Sequence, residues 1–433
     1  MLLRLKAIFT TLTQKKYLNL FLFSCVVIFF LLGYFESLRW PFPGPKATHG
    51  IIKALFLVLI PVLFAVRRKL YPQKHVVQNL LMVIFVFSYV ISAAFSKSLE
   101  ASLLNLWYPF MALCVLYIFS RIKVTSQFLY TIIALSALLV CITFAFAFFS
   151  IMFRYSVDTL YYFIFLDHRA NHLLGEIRRF GKYVSLGPYI MLTPLTAYFL
   201  VEKKADLNRK LLSLVCFGVS VLTAVISNNR IDVLIIAIQF SVLLFLLPRK
   251  TAVILLACMI PLAIFGLTVT DKYFGFNLEQ RILRPKGERD LETIDMRFTY
   301  WQTALYNFKN YPLLGTGPNT YNDVSNFPLR RYYNDNTQEY TAIVDEGIGI
   351  HNVFIERLSD TGLFGFFSFV ILLCYFIRKD VLAVLQKEGD DRKKYMLFSL
   401  SSWTWILYSL TDNGYGAQGF LTFFFLRGLL LHL

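Results

Sequence analysis

Long apolar runs, one after another, constrain this chain more than any other feature. About twelve are present, at roughly 17–35, 50–66, 77–95, 101–120, 126–152, 183–201, 210–227, 231–247, 251–269, 352–377, 395–411 and 416–431. An α-helix needs about 20 such residues to cross the hydrocarbon core of a bilayer. Inside that core every backbone N–H and C=O must be bonded within the protein, so each run is expected to be a helix. With 57% hydrophobic residues in 433 and a mean hydropathy of +0.59, the chain carries more apolar surface than one soluble core could bury. The expected fold is all-α: a polytopic integral membrane protein with about 12 transmembrane helices, forming a single transmembrane domain over 1–433. The first run is too long for a signal-peptide core and others follow it, so it reads as a retained span. The least regular runs are 101–120, which contains Pro109, and the last two, separated only by TDNGYGAQG.

The formal net charge is +17. In a soluble protein that would point to nucleic acid. Here the basic residues follow the membrane instead. Arg4, Lys6, Lys15 and Lys16 precede the first run, and alternate connections carry Arg67, Arg68, Lys69 and Lys74, then Arg121 and Lys123, then Lys203, Lys204, Arg209 and Lys210. The series continues with Arg249 and Lys250, then Arg378, Lys379, Lys387, Arg392, Lys393 and Lys394. The intervening short connections hold few. The bias puts the basic side, and both termini, in the cytoplasm. Membrane lipids are the expected surroundings, and no nucleic-acid partner is expected.

Two segments on the other side are long. One, about 153–182, holds Arg154, Arg169, Arg178, Arg179 and Lys182; the other, about 270–350, is the longest polar stretch in the chain. Long external loops escape the charge rule, and long loops tend to be functional. Inside 270–350, LETIDMRFTYWQTALYNFKN places Leu291, Ile294, Phe298, Trp301, Leu305 and Phe308 at helical spacing. This predicts an amphipathic helix lying on the membrane surface over a cavity, with Arg297 beside its apolar stripe. YPLLGTGPNTY then ends it.

Candidate chemistry gathers at the tenth run, which opens HNVFIERLSDTGLFG (351–365). His351 falls at the outer end of that helix, where the helix dipole disfavours imidazolium and free N–H groups welcome an anion. Asn352 can cap the helix, and capping alone is the plain alternative for the His351-Asn352 pair. Arg230, in ISNNRIDVL at the outer start of another run, is either a snorkelling anchor or a fixed guanidinium for phosphate. Arg297 and the pair Arg178-Arg179 carry the same two readings. Glu356, Arg357 and Asp360 are expected to form an ion pair within the helix. Gly362 and Gly365 suggest close helix packing. The six cysteines all lie in apolar runs without a CxxC pair, so neither a disulfide framework nor a zinc site is expected. The external segments hold no DxD, Asp390-Asp391 lies on the cytoplasmic side, and no glycine-rich phosphate loop is present. No metal and no cofactor are expected.

These residues resemble the O-antigen ligase and O-antigen polymerase superfamily of bacterial membrane glycosyltransferases. The resemblance rests on His351-Asn352 followed at fixed spacing by Gly362 and Gly365, on Arg230 opening RIDVLIIAIQF, and on RFTYWQTALYNFKNYPLLGTGPNTY before the histidine. It covers roughly residues 180–380. It implies about twelve spans and a large periplasmic loop, in a multi-pass protein of the bacterial inner membrane whose active site faces the periplasm. It also implies transfer of a glycan from undecaprenyl diphosphate, in the ligases to a sugar hydroxyl of the lipid A core. His351 would then be the base, with Arg230 and Arg297 on the diphosphate and Arg178, Arg179 and Asn352 as further substrate-binding candidates. The single dominant external loop favours ligase, and the basic 153–182 loop keeps polymerase open. A lipid-glycan flippase is the other class; it would carry ionisable groups near midspan and often a repeat, and neither is evident.

Overall fold

The computed structural model describes residues 76–96, 98–120, 130–138, 141, 187–226, 230–274, 288–321, 331–334, 339–342, 350–410 and 416–433. The first two apolar runs, most of the fifth, and the 153–182 segment with Arg178 and Arg179 lie outside them. The helices are α1 (Val76–Ala94), α2 (Leu99–Asn105), α3 (Trp107–Phe119), α4 (Gly187–Thr196), α5 (Tyr198–Val201), α6 (Leu207–Ile226), α7 (Arg230–Leu246), α8 (Arg249–Phe274), α9 (Glu288–Asn310), α10 (Val353–Gln386), α11 (Gly389–Ser409) and α12 (Gly416–Leu430). One antiparallel hairpin joins β1 (Arg331–Asn334) to β2 (Glu339–Ala342), with Arg331 opposite Ala342. It lies in the 270–350 segment and is the one departure from an all-helical chain among the described residues.

Every predicted run that falls on described residues is mainly helical there, with breaks at Leu106 and Ala197. Among the described residues three stretches are long and apolar enough to cross a membrane: Val76–Ala94, Leu99–Phe119 and Val353–Gln386. Shorter apolar helices occupy Ile190–Val201, Ile231–Leu246 and Gly419–Leu430. The 101–120 run is divided at Leu106 because Pro109 has no N–H to give Asn105; as third residue of α3 it needs none.

The hinge TDNGYGAQG leads into the most enclosed helix. Residues 419–430 of α12 are all buried, which explains why FLTFFFL is apolar all round rather than on one face. Its phenylalanines interlock with neighbours: Phe425 meets Phe119 of α3 edge-on at 4.6 Å, Phe423 meets Trp405 of α11 at 5.1 Å, and Phe420 and Phe424 lie 4.8 Å apart. Packing of this kind holds helices together where no water is present to drive them, and each aromatic pair contributes about 0.5–1.5 kcal/mol beyond area.

α10 extends past the predicted end near 377 to Gln386 because its last turns carry a built-in partner. Asp380 is buried and accepts hydrogen bonds from Arg427 Nη1 at 2.7 and 2.8 Å, Tyr395 Oη at 2.7 Å, Ser399 Oγ at 2.7 Å and Trp403 Nε1 at 2.6 Å. The Arg427 guanidinium also lies 4.4 Å from the Trp403 ring centre. This network ties α10, α11 and α12 together at one end. At the opposite end, Asn352 Nδ2 donates to the carbonyl of Leu410, just past α11.

Candidate active site

The tenth run is not one helix. Gly362 interrupts it with φ 61° and ψ −162°, a backbone open essentially to glycine alone. The interruption leaves carbonyls at the end of the first half and N–H groups at the start of the second. The segment after α9, YPLLGTGPNT, fills them. Thr316 N donates to Ser359 O at 3.0 Å and Gly317 N to Asp360 O at 2.9 Å, while Leu363 N donates to Pro312 O at 2.8 Å and Phe364 N to Leu313 O at 3.2 Å. Irregular backbone is tolerated in such a helix only where protein satisfies it. A Cβ at Gly362 would strike Leu313 and Leu314 backbone, and one at Gly315 would strike Asp360 and Thr361 backbone. The expected close approach at Gly362 is therefore helix to loop, not helix to helix. Gly365 differs: a Cβ there would meet the Thr361 side chain of its own helix.

α1 secures the same junction. Ser92 Oγ donates to Asp360 O at 2.7 Å and Ser96 Oγ to Thr316 O at 2.9 Å. The Asp360 carboxylate adds a further tie, its Oδ2 accepting from Asn319 N at 2.9 Å. Asn319 sits at φ 58°, a conformation asparagine tolerates better than most residues.

The docked loop fixes α9 against α10, but not by the face the sequence marks. Tyr300, Thr303, Ala304 and Asn307 are buried, whereas Phe298 and Leu305 of the predicted apolar stripe are exposed. The polar-looking side of α9 packs because small and hydrogen-bonding residues allow close approach, and Phe298 and Leu305 of the stripe are left outward. Trp301 Nε1 donates to Ile350 O at 2.9 Å, and the Tyr300 ring stacks on that of His351, with centres 6.2 Å apart and planes 24° from parallel.

His351 has φ 55°, uncommon outside glycine and a mark of a constrained position. The cap is Asn352: its Oδ1 accepts from Phe354 N at 3.0 Å and Ile355 N at 3.1 Å. Capping is thus Asn352's work and does not account for His351. It also engages the side-chain oxygen and nitrogen that a substrate-binding Asn352 would use.

Arg297 is half-buried on α9, three residues before Tyr300. That spacing puts the Cβ atoms of the two about 5–6 Å apart on one face of α9. Arg230 is the first residue of α7. Gln239 Nε2 of α7 donates to Ile190 O at 2.8 Å and Thr404 Oγ1 at 2.9 Å. These bonds pack the middle of α7 against α4 and α11. Within α10 the expected ion pair forms between neighbours: Arg357 Nη1 meets Glu356 Oε1 at 3.1 Å. Asp360 faces Asn319 instead. Tyr300, Trp301 and Asn319 are not marked as site residues by the sequence; the only trace is the turn chemistry of GTGPN. Among the described residues no three His, Cys, Asp or Glu side chains gather as metal ligands.

A family model described as O-Antigen ligase matches residues 212–370. No curated protein matches the chain. The matched stretch starts in α6 and ends just past the helix break, so it contains Arg230, Arg297, His351 and both halves of the docked loop; α11 and α12 fall outside it. Residues 212–370 are therefore similar to the O-antigen ligase family, and among the described residues three helices are long and apolar enough to cross a membrane.

Proposed function

We propose that this protein transfers a glycan from undecaprenyl diphosphate to a sugar hydroxyl of the lipid A core, on the periplasmic side of the bacterial inner membrane. His351 takes the proton of the acceptor hydroxyl. The oxygen attacks the anomeric carbon from the face opposite the diphosphate, the carbon–oxygen bond to the diphosphate breaks, and the anomeric centre inverts. Arg230 and Arg297 hold the leaving diphosphate and stabilise its charge, a task that fixed guanidinium forks perform without reorganisation. Arg178 and Arg179 join that role on sequence grounds alone. A base within hydrogen-bond reach raises the rate by roughly 10²–10⁴-fold, which a sugar hydroxyl needs because it is a poor nucleophile.

The observation that supports this reading most is the pairing across α9 and α10. His351 is held in a constrained backbone against Tyr300, Arg297 precedes Tyr300 by about one turn of α9, and Arg297 makes no ion pair among the described residues. The test is deletion in the native host followed by gel analysis of lipopolysaccharide. Loss of all polymer from the core, with lipid-linked polymer still made, is the expected result. A core bearing a single repeat unit would make the protein a polymerase.

A further inference from the structure

We propose that Tyr89, Arg357 and Asp360 form a saccharide-binding subsite in the seam between α1 and α10, receiving hydroxyl groups of a sugar that reacts at His351. The proposal rests on the glycosyl-transfer reading above. Three polar atoms here have no hydrogen-bond partner among the described residues: the Tyr89 hydroxyl, Arg357 Nε and Asp360 Oδ1. All three residues are more than nine-tenths buried, at 0%, 4% and 2% exposure. A buried polar atom without a partner is costly, and more so when charged. Three together, on the helix that starts at His351 and the helix packed beside it, are not explained by the fold.

The atoms are held as a set. The Arg357 guanidinium lies 5.1 Å from the Tyr89 ring centre and beside the Tyr108 hydroxyl. Its Nη1 is taken by Glu356, which leaves Nε over. Asn319 fixes Oδ2 of Asp360, which leaves Oδ1 over. The Asp380 carboxylate, by contrast, has both oxygens bonded by protein. Glu356, with its side chain 28% exposed, forms the open edge of the cluster. Tyr89 and Tyr108 meet edge to face at 6.2 Å, and Trp107 meets Tyr108 at 6.0 Å, so aromatic faces line one wall.

The chemistry selects the ligand. A carboxylate oxygen accepts from one hydroxyl, a guanidinium N–H donates to its neighbour, and a phenol does either. That is the complement of a vicinal diol. Glu356 already neutralises the one guanidinium, so the seam offers no net positive charge to a phosphate, and the inward-facing donors disfavour a cation. Arg357 is the fifth residue of α10, about 6 Å along the axis from its start at 1.5 Å per residue, so a sugar bound here lies next to His351. That sugar is either the first residue of the donor or the acceptor residue.

The test uses full-length protein in nanodiscs and the variant Tyr89→Phe, which removes a hydroxyl that bonds to nothing in the described protein. The probes are undecaprenyl diphosphate, undecaprenyl diphosphate bearing one N-acetylhexosamine, and purified lipid A-core. Tyr89→Phe should weaken one sugar-bearing probe about five- to tenfold and leave the sugar-free lipid unchanged. Weakening toward the lipid-linked sugar assigns the subsite to the donor; weakening toward lipid A-core assigns it to the acceptor. Asp360→Asn keeps an acceptor for Asn319 but replaces the free oxygen with a donor, and it should weaken the same probe. Unchanged affinity for every probe in both variants would overturn the subsite and leave a polar cluster hydrated by water. Equal weakening toward the sugar-free lipid would overturn it too. Wild-type protein that binds no sugar-bearing probe would overturn the glycosyl-transfer reading, and the subsite with it.

Discussion

Gly362→Ala should uncouple His351 from α9 while leaving the chain in the membrane. The added methyl meets two obstacles. Its backbone, at φ 61° and ψ −162°, costs a non-glycine residue about 1–3 kcal/mol. Its position overlaps Leu313 and Leu314 backbone, with Leu313 O at 2.5 Å and Leu314 N at 2.6 Å, so the loop must lift. Lifting it gives up the bonds from Leu363 N to Pro312 O and from Phe364 N to Leu313 O, each worth about 0.5–1.5 kcal/mol. The total is about 2–6 kcal/mol. The first half of α10 then loses its seat against α9, and misplacing a reacting group by about 1 Å can lower turnover about 10²-fold. Thermal unfolding of the purified protein in detergent reads the stability, and transfer from lipid-linked donor to lipid A-core reads the turnover. Gly389→Ala is the control. Gly389 has φ 56° and open space where a Cβ would stand, with nothing within 4 Å, so it carries backbone strain without collision and should lower stability only. A Gly362→Ala protein with wild-type melting and turnover would refute the idea that the docked break positions His351.

Other perturbations separate the roles. His351→Asn keeps a residue that tolerates positive φ and should still abolish turnover in the same transfer assay; an active enzyme with normal expression would end the base reading. Arg297→Ala should raise the donor concentration needed for half-maximal rate, and Arg297→Lys should restore it only in part because lysine lacks the planar fork. Asp380→Ala strands the buried Arg427 charge and should lower stability by about 3–5 kcal/mol in thermal or denaturant unfolding, whereas replacing both partners with apolar residues should cost much less. Reporters fused at residues 300 and 388 should report outside and inside the cytoplasm respectively; a cytoplasmic signal at 300 would reverse the orientation and place His351 among nucleotides instead of lipid-linked glycans.

Helix positions are legible in the sequence because apolar length answers a one-dimensional question. Val76–Ala94, Ile231–Leu246 and the start of α10 at Val353 fall within a residue or so of the apolar runs that predict them. The same holds for the Asn352 cap, a local contact between neighbours in the chain. The period of α9 predicts a helix, yet it does not predict which face packs. Periodicity reports where apolar residues lie, and in a membrane protein the apolar side can be the outward one, so Phe298 and Leu305 are exposed while Thr303 and Asn307 are buried.

What the sequence determined by itself is therefore a chain of membrane helices, a capped helix beginning after His351, and a short roster of polar residues near it. What only the tertiary structure decided is how those residues are used. Gly362 and Gly365 look alike in the sequence, but one breaks α10 to admit a loop and the other does not. Asp360 looks like Arg357's partner and instead holds Asn319, 41 residues earlier. Arg427 looks misplaced in an apolar run until Asp380 meets it from another helix. In each case the deciding term is the partner that satisfies a buried charge or an unpaired backbone group. That partner comes from far along the chain, where spacing carries no information about distance.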